Sequence, residues 1–364
     1  MRSSRRAGTT TSTTTTTSSG AEPVVAVDCN GADMGPAEVA AGAALAAAQG
    51  ARVLLFGPAA ELGEPHPGVE VVDAPVSIAK VADPVAAART TRDASIVLAT
   101  KAVAEGRAQA LVCAGGTGAA LAAGTFNIKR EHGIYRPALA IPLPVPGNPV
   151  TLLDVGANAE ARREHLVQYA FMGAALANVV LGVARPRVGL LSNGEEDARG
   201  SGLVVETGGE LRERAHANAL FDFVGNVEGG DLLSGKAEVV VTDGFTGNIT
   251  LKVLEGTSQL LLRAIRDAAT ASLRGKLGGL LLKRPLGGLR EEIDPEAAGG
   301  AYLLGLRRLG VVPHGRFSRL GFAQAILRAR LGAREDVVGR TQAALADAGA
   351  LRRSPAAAGV RPGR

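Results

Sequence analysis

Cysteine, aromatic residues and long apolar runs are scarce in this 364-residue sequence, and each shortage excludes a class of protein. Two cysteines, Cys29 and Cys113, cannot build a disulfide framework, so the chain is typical of a reducing compartment. Aromatic residues make up 3% of the chain and tryptophan is absent, so the core must consist mainly of alanine, leucine and valine. No apolar run approaches the ~20 residues that a membrane-spanning helix requires.

Positive charge is concentrated at the two ends of the chain. The formal net charge is +5, but residues 1–20 contain three arginines, residues 351–364 contain four, and neither segment contains an acid. The rest is close to neutral and carries no nucleic-acid-binding motif, so we expect no nucleic-acid partner. We predict disordered tails at 1–22 and 351–364, because neither has an apolar periodicity. A disordered tail or a misplaced start codon explains the first segment better than an organelle-targeting signal.

Between the tails, the sequence alternates between strand and helix patterns. We expect residues 23–350 to form an α/β domain, with a projecting helical hairpin at about 268–292. Helices are predicted at Pro36–Ala48, Ala79–Gly106, Ala119–Lys129, Arg163–Leu181, Ile249–Ala271 and about Gly321–Ala348. Six apolar runs end in turns rich in Gly, Asn and Asp, namely Val25–Pro36, Ala110–Gly118, Val150–Ala159, Val188–Gly200, Phe221–Glu228 and Val239–Thr250. Repeated units of this kind predict a mostly parallel sheet whose turns meet at one edge and line one cleft.

The most informative of these turns is TDGFTGN, which follows the apolar run at Val239. Gly244 and Gly247 would let the backbone approach a ligand closely and adopt conformations that other residues avoid. Asn248 would lie where a helix begins, beside free N–H groups that favour an anion. The alternative is an ordinary strand–helix connection capped by Asp243 or Asn248, and spacing alone does not separate the two.

A series of short motifs follows in the order found in one bacterial family. They are VAVDCNGADMGP at Val25–Pro36, AGGTG at Ala114–Gly118, RPA at Arg136–Ala138, LLDVGAN at Leu152–Asn158, EHLVQY at Glu164–Tyr169, PRVGLL at Pro186–Leu191, GNVE at Gly225–Glu228, SGKA at Ser234–Ala237, TDGFTGN, LKVLEG, GGAYLLG at Gly299–Gly305 and His314-Gly315. From about Val24 to Leu345 the chain resembles the bacterial phosphate acyltransferases of phospholipid synthesis.

The resemblance implies a three-layer α/β/α sandwich with a mostly parallel sheet, akin to isocitrate and isopropylmalate dehydrogenases, and a homodimer. It implies reversible transfer of a fatty acyl group from acyl carrier protein to inorganic phosphate, giving acyl-phosphate for phosphatidic acid synthesis. A membrane glycerol-3-phosphate acyltransferase would be a further partner, and the enzyme would be cytoplasmic and peripherally associated with the membrane. This reaction requires neither a metal nor another cofactor.

The resemblance also suggests the site residues. Asn248 would donate to the developing oxyanion, Arg199 would replace a family lysine that acts on phosphate or oxyanion, and Asp243 would orient these groups or cap the helix. Further candidates for contacts with phosphate or the rest of the substrate are Asp28, Asp33, Arg92, Ser95, Gly115, Gly116, Thr117, Gly118, Gly244, Gly247 and His314. The chain departs from the family's motifs at Asn30, Ala32, Gly116, Arg199, Ser201, Gly202, Arg316 and Phe317.

A leucine- and glycine-rich segment, Ser272–Leu289, carries the cations Arg274, Lys276, Lys283 and Arg284. It could form a dimer interface, lie on an anionic membrane, or receive the acidic carrier protein. Two other functions remain open for the whole chain. One is a non-catalytic relative that binds acyl carrier protein, and the other is a dehydrogenase of similar fold, although no nucleotide-binding GxGxxG pattern follows a strand.

Overall fold

An eleven-stranded sheet forms the centre of the computed structural model. The structure describes residues 22–143, 145–147, 149–215, 219–272, 274–278 and 294–352. In chain order, strands β1 to β11 are Val24–Asp28, Arg52–Gly57, Val69–Asp73, Ala110–Cys113, Ala138–Leu143, Val150–Leu153, Arg187–Leu191, Asp222–Val227, Val239–Val241, Ala301–Leu304 and Leu309–Val312. Their order across the sheet is β3-β2-β1-β4-β11-β10-β5-β6-β9-β7-β8. Most of the predicted tails and of the predicted hairpin lie outside the described residues and stay predictions.

Helices cover both faces of the sheet. Helices α1 to α9 are Pro36–Ala48, Pro84–Thr90, Ser95–Ala104, Thr117–Ala123, Arg163–Val180, Gly202–Ala215, Gly244–Thr270, Arg319–Arg334 and Val337–Asp347. One buried cluster joins the sheet to α1, α5, α8 and α9, and a second joins the other face to α3, α4 and the first half of α7. The predicted α/β class with helices on both faces of a mostly parallel sheet is therefore confirmed.

Several predicted helices are divided or begin elsewhere. The predicted final helix is two helices, because Asp336 adopts a left-handed conformation and its side chain caps α9 at Gly339. The stretch at 79–106 is likewise two helices, and the carboxylate of Asp83 caps the first of them. Helix α4 passes into a single π turn at Gly124–Ile128. Helix α7 begins at Gly244, five residues before the predicted start, because Asp243 caps it.

The sheet consists of two parallel halves that run in opposite directions. Strands β3, β2, β1, β4 and β11 are parallel, and so are β6, β9, β7 and β8. Between the halves, β10 and β5 pair antiparallel with each other and with their outer neighbours, which reverses the direction. We call the edge where β1, β4 and β11 end the first edge, and that where β6, β9, β7 and β8 end the second edge. The prediction that all the turns share one edge was therefore wrong.

Candidate active site

The start of α7 is packed tightly against the turn that follows β6. The backbone N–H of Gly244 donates to the carbonyl oxygen of Asn158 at 2.9 Å. A Cβ atom at Gly244 would lie 2.5 Å from that oxygen, and one at Gly247 would lie 1.9 Å from the carbonyl oxygen of Asp154. Both glycines therefore serve the close approach of two backbone segments rather than of a ligand. Neither is among the glycines with positive φ, so the expectation of an unusual conformation was wrong.

Asp243, rather than Asn248, caps α7. Its carboxylate accepts hydrogen bonds from the backbone N–H and the hydroxyl of Thr246, both at 2.8 Å. Asn248 lies in the second turn of the helix, where its backbone cannot offer the free N–H groups of a helix start. The alternative in which Asn248 is only a cap is therefore excluded.

The side chain of Asn248 is exposed. It lies near the turn that follows β6, and β6 is a neighbour of β9 in the sheet. A Cβ atom at Gly156 would lie 3.8 Å from Cβ, Cγ and Oδ1 of Asn248, which is ordinary packing contact. Within the described residues, the amide group of Asn248 has no hydrogen-bond partner, whereas the partly buried amide of Asn158 has several. An exposed amide without a partner can donate to an oxygen of a bound substrate.

Arg199 lies on the loop after β7, which is a neighbour of β9 in the sheet. Its side chain is 63% exposed and its Nε lies 3.4 Å from Oε2 of Glu196. The buried amide of Asn226 holds this loop, because it donates to the carbonyl oxygens of Glu196 at 2.8 Å and Arg199 at 3.3 Å. The structure thus brings Asp243, Asn248 and Arg199 to adjacent turns of the second edge.

At the first edge, the carboxylate of Asp28 is turned into the protein. It is 1% exposed and accepts hydrogen bonds from the Ser95 hydroxyl at 2.6 Å, the Cys113 thiol at 3.3 Å and the backbone N–H of Asn30 at 3.2 Å. Burial raises the pKa of this carboxyl, although the hydrogen bonds oppose that effect. Asp28 and Ser95 are therefore not accessible to a ligand in this conformation.

The two cysteines are buried thiols. Burial and the neighbouring charge of Asp28 raise the pKa of Cys113 far above its ordinary value, and the same two causes raise the pKa of Cys29. Because the thiolate is the reactive form, neither residue is a nucleophile in this environment. A buried cysteine of this kind acts as a small apolar side chain.

A cavity of about 430 Å³ opens at the first edge, and Asn30, Ala32, Ser77 and Lys80 are among its lining residues. Asn30 and Ala32 are two of the positions at which the chain departs from the family's motifs. Asp33 lies nearby and pairs with Lys80 at 3.0 Å on the surface.

The remaining predicted residues of the first edge have mixed surroundings. Gly115 has a φ of 77° and packs on the backbone of Gly31 and Gly315, while Gly116 is buried beside Ala79. Thr117, Gly118 and Arg92 are exposed.

His314 follows β11, and its pKa is lowered by burial first and then by Arg316. The charges of Lys252 and Glu255, on the third turn of α7, also act on His314. The helix that begins at the second edge therefore carries charges that affect a residue of the first edge.

The far half of α7 is exposed along its length. Leu260, Leu261, Leu262 and Ile265 are 56–66% exposed. Arg274 and Lys276 follow on an exposed helical stretch at 274–278, whereas Lys283 and Arg284 lie outside the described residues. In the part of the chain that the structure describes, no helix is long and apolar enough to cross a membrane. Over the same residues, no group of three or more His, Cys, Asp or Glu is arranged to hold a metal ion.

Three polar residues that shape the second edge were not predicted as site residues, namely Asp154, Asn158 and Asn226. Asp154 and Asn226 are buried, and Asn158 is partly buried. Their signal was present in the sequence, because LLDVGAN and GNVE are two of the motifs that carry the resemblance. In the sequence analysis, those motifs served to identify the family, but their polar residues were assigned no role.

The chain is similar to known proteins over nearly all of the part that the structure describes. The family model described as fatty acid synthesis protein matches residues 24–340. A phosphate acyltransferase of Anaeromyxobacter sp. (strain K) is 39% identical over 346 residues, covering 91% of this chain and 93% of the relative. One from Geobacillus thermodenitrificans (strain NG80-2) is 40% identical over 327 residues, covering 88% of this chain and 98% of the relative.

Solved structures support the fold alone. The EutD phosphotransacetylase of Staphylococcus aureus superposes with a TM-score of 0.57 at 16% identity, covering 85% of this chain and 94% of that one. A 4-hydroxythreonine-4-phosphate dehydrogenase of Klebsiella pneumoniae gives a TM-score of 0.51 at 15% identity, covering 87% and 100%. Acyltransferases and dehydrogenases thus share the architecture, so the sequence relatives decide between them. Since those relatives match nearly the whole folded chain, the protein belongs to the phosphate acyltransferase family.

Proposed function

We propose that this protein transfers a fatty acyl group from acyl carrier protein to inorganic phosphate, reversibly, and so supplies acyl-phosphate for phospholipid synthesis. The observation that carries the proposal is its identity of about 39–40% with phosphate acyltransferases over nearly the whole chain. The amide of Asn248, in the second turn of α7, agrees with it, because it has no hydrogen-bond partner among the described residues. A non-catalytic relative and a dehydrogenase of similar fold are the alternatives.

The reaction makes few chemical demands on the protein. A phosphate oxygen attacks the carbonyl carbon of the thioester, the C–S bond breaks, and the pantetheine sulfur leaves as a thiolate. That thiolate is an adequate leaving group because an ordinary thiol has a pKa of ~8.5. The enzyme must hold phosphate in line, stabilise the oxyanion of the tetrahedral intermediate, and exclude the water that would hydrolyse the acyl group.

Asn248 is suited to the oxyanion. Its amide is exposed, has no partner among the described residues and is supported by a helix whose start is fixed by Asp243 and by the 154–158 turn. A donor held in place before the reaction is worth more than one that must be ordered during it. Asp243 contributes by holding the helix that carries Asn248.

Arg199 is suited to phosphate. Its guanidinium offers several donors in a planar fork, which matches the oxygens of a phosphate. Its present partner is the exposed Glu196, and an exposed ion pair of this kind contributes little, so phosphate can replace it. Because β7 and β9 are adjacent, a phosphate on Arg199 would lie beside the turn that carries Asn248.

Contacts at the first edge are assigned more broadly. We propose that Asp33, Arg92, His314, Thr117 and the 115–118 turn contact the phosphate or the pantetheine arm. The 430 Å³ cavity beside Asn30 and Lys80 supports this, because it is open to solvent near the same turns. Lys252, on the helix that carries Asn248, lowers the pKa of His314, so charges on α7 act on this region.

The exposed leucines of α7 and the cations that follow them support a contact with another molecule. Arg274, Lys276, Lys283 and Arg284 are suited to the acidic carrier protein or to an anionic membrane, and the apolar side chains to a second subunit or to lipid. A homodimer that associates peripherally with the membrane would deliver acyl-phosphate to a membrane glycerol-3-phosphate acyltransferase.

The decisive experiment incubates the purified protein with long-chain acyl-ACP and phosphate, without added metal or nucleotide. We expect phosphate-dependent release of thiol and formation of acyl-phosphate, detected by mass spectrometry. The same assay with acyl-CoA defines the acyl donor. Binding of acyl-ACP without turnover would favour the non-catalytic relative. Formation of NADH from a hydroxy acid and NAD would favour the dehydrogenase.

A further inference from the structure

The carboxylate of Asp154, at the end of β6, is fully buried and collects hydrogen bonds from two segments of the chain. Oδ1 accepts from the backbone N–H groups of Leu139 at 3.0 Å, Gly156 at 3.1 Å and Ala157 at 2.9 Å. Oδ2 accepts from the backbone N–H and the side-chain amide of Asn158, both at 2.9 Å. Burial raises the pKa of this carboxyl, and these N–H donors oppose the effect. With 0% exposure, Asp154 cannot touch a substrate.

The turn that Asp154 holds is the surface on which α7 begins. The carbonyl oxygen of Asn158 accepts the N–H of Gly244 at 2.9 Å, and the N–H of Asp154 donates to the carbonyl oxygen of Thr242 at 3.1 Å. The carbonyl oxygen of Asp154 occupies the space above Gly247 that a side chain would need. Movement of the turn would therefore move the first turns of the helix.

The same turn also lies beside Asn248. A Cβ atom at Gly156, whose N–H is held by Asp154, would lie 3.8 Å from the Asn248 side chain, so the turn and this side chain are neighbours. Among the described residues, the Asn248 amide has no hydrogen bond of its own, so its position follows from the helix that carries it and from this neighbouring turn. A carboxylate that binds the N–H groups of 156, 157 and 158 together is a device for fixing that position.

We propose that Asp154 is a positioning residue for acyl transfer, which fixes the 154–158 turn against the start of α7 and so sets the position of the Asn248 amide. This inference rests on the proposed function, since it assigns Asp154 an effect on the reaction that Asn248 assists. The alternative is that Asp154 stabilises the fold and has no specific effect on Asn248.

Asp154→Asn tests the proposal, because an amide would replace one acceptor oxygen by a donor facing other donors. We expect kcat to fall about 10- to 100-fold, which is part of the loss caused by removing an oxyanion donor. The KM for phosphate should stay within about twofold, since the Arg199 loop is untouched. Gln168→Leu is the control for lost stability, because it removes three hydrogen bonds of a buried side chain away from α7.

A double-mutant comparison separates positioning from general damage. If Asp154 acts through Asn248, Asp154→Asn should lower kcat by less than about twofold in the Asn248→Ala background. Equal losses in both backgrounds would overturn the proposal, and so would a kcat matching that of Gln168→Leu. Should Asp154→Asn fail to fold, Asn158→Ala decides instead, because it removes the amide donor to Asp154, together with its bonds to Pro137 and Tyr169, and leaves the backbone bonds to Asp154. A several-fold loss of kcat at unchanged KM would support the proposal, and an unchanged kcat would overturn it.

One readout does not depend on turnover. The side-chain amide NMR signal of Asn248, assigned by its loss in Asn248→Ala, should shift in the Asp154 or Asn158 variant and not in Gln168→Leu. If the signal shifts but the wild-type protein forms no acyl-phosphate, the proposed function is wrong, while the coupling between Asp154 and Asn248 is retained. An unshifted signal would overturn the coupling even in an active enzyme.

Discussion

The two edges of the sheet carry the same local pattern and use it differently. At each, a buried strand ends in an aspartate that a short turn follows, Asp28 at the first edge and Asp154 at the second. The carboxylate of Asp28 is held by the hydroxyl of Ser95, the thiol of Cys113 and one backbone N–H. That of Asp154 is held by four backbone N–H groups and one amide.

The kind of donor that binds each carboxylate determines how firmly the backbone of the following turn is held. Bonds from side chains tie Asp28 to the helix and strand around it and leave its own turn beside an open cavity. Bonds from backbone N–H groups tie Asp154 to its own turn, on which α7 and Asn248 rest. A rigid turn suits a donor that must be in place before reaction, and an open cavity suits a substrate that must enter. We therefore expect substitutions at Asn248 and at the turn beside it to affect kcat, and those at the first edge to affect binding or stability.

Asn248→Ala should produce the largest effect at the second edge. We expect kcat to fall by about 10²–10³-fold, as for the loss of one oxyanion donor. Stability should change little, because the side chain is exposed and has no hydrogen-bond partner among the described residues. Gln259→Ala, at another exposed amide of α7, is the matched control and should keep full activity. An active Asn248→Ala protein would transfer the oxyanion role to the first edge.

Arg199 tests whether the second edge also binds phosphate. Arg199→Ala should raise the phosphate KM by roughly tenfold or more and change kcat less, because a bidentate contact to the bound anion is lost. Arg199→Lys restores the residue type expected from the family. If the site depends on the arginine fork, the lysine variant loses phosphate affinity, and if a point charge suffices, it does not. Arg185→Ala, an exposed arginine paired with Asp222, is the control.

How much of this the sequence could predict depends on the range of the interactions. The ends of β1, β4, β6, β7 and β9 were predicted because buried apolar runs followed by glycine turns are local signals. The reversal of the sheet was not, because it depends on pairing of β10 and β5, which lie far apart in the chain. Strand β3 was missed since its residues are mostly half-exposed, and α6 because it contains Gly208 and Gly209, which disfavour helices.

The sequence suggested candidate residues for the site but not their geometry. Asp243, Asn248 and Arg199 follow strands, and the structure places all three at one edge. The earlier start of α7 was hidden because Gly244 and Gly247 resemble a loop in sequence. Only the structure shows that they allow contact with the 154–158 turn. The effects proposed for these residues on catalysis stay predictions.

Outside both edges, Lys283→Glu with Arg284→Glu tests the cationic segment. Each cation near an anionic surface contributes about 1 kcal/mol, so the pair should weaken liposome or carrier binding by roughly tenfold or more. The variant should keep its fold, and added salt should weaken the wild-type contact too. Arg107→Glu, on an exposed site paired with Glu105, is the control. Unchanged sedimentation with anionic liposomes and an unchanged carrier KM would indicate a purely structural segment.

At the first edge, Asp28→Asn tests the cost of a buried charge. Burial raises the pKa of Asp28, so between its ordinary and its raised value the folded protein binds more protons than the unfolded chain. Stability from this group therefore falls as pH rises through that window. The loss in free energy of unfolding caused by Asp28→Asn should be larger at pH 4 than at pH 7, as measured by urea denaturation.

Glu38→Gln should show the opposite pH dependence of the loss in unfolding free energy. Hydrogen bonds from Arg319 lower the pKa of Glu38, so its contribution to stability is present above its ordinary pKa and lost as pH falls. The cost of Glu38→Gln should therefore be larger at pH 7 than at pH 4. Equal pH dependence of the two variants would show that Asp28 is not a costly buried charge.

The smallest expected effect concerns the link between the edges, which α7 provides through His314. Burial and Arg316 lower the pKa of His314, Lys252 lowers it further, and Glu255 raises it. Lys252→Met should therefore raise the pKa of His314 and Glu255→Gln should lower it, as measured by NMR titration of the imidazole. Lys101→Met, on α3, should leave it unchanged. If neither α7 variant moves the titration, α7 does not approach the first edge in solution, and substrate contacts at His314 could not be coordinated with Asn248 through this helix.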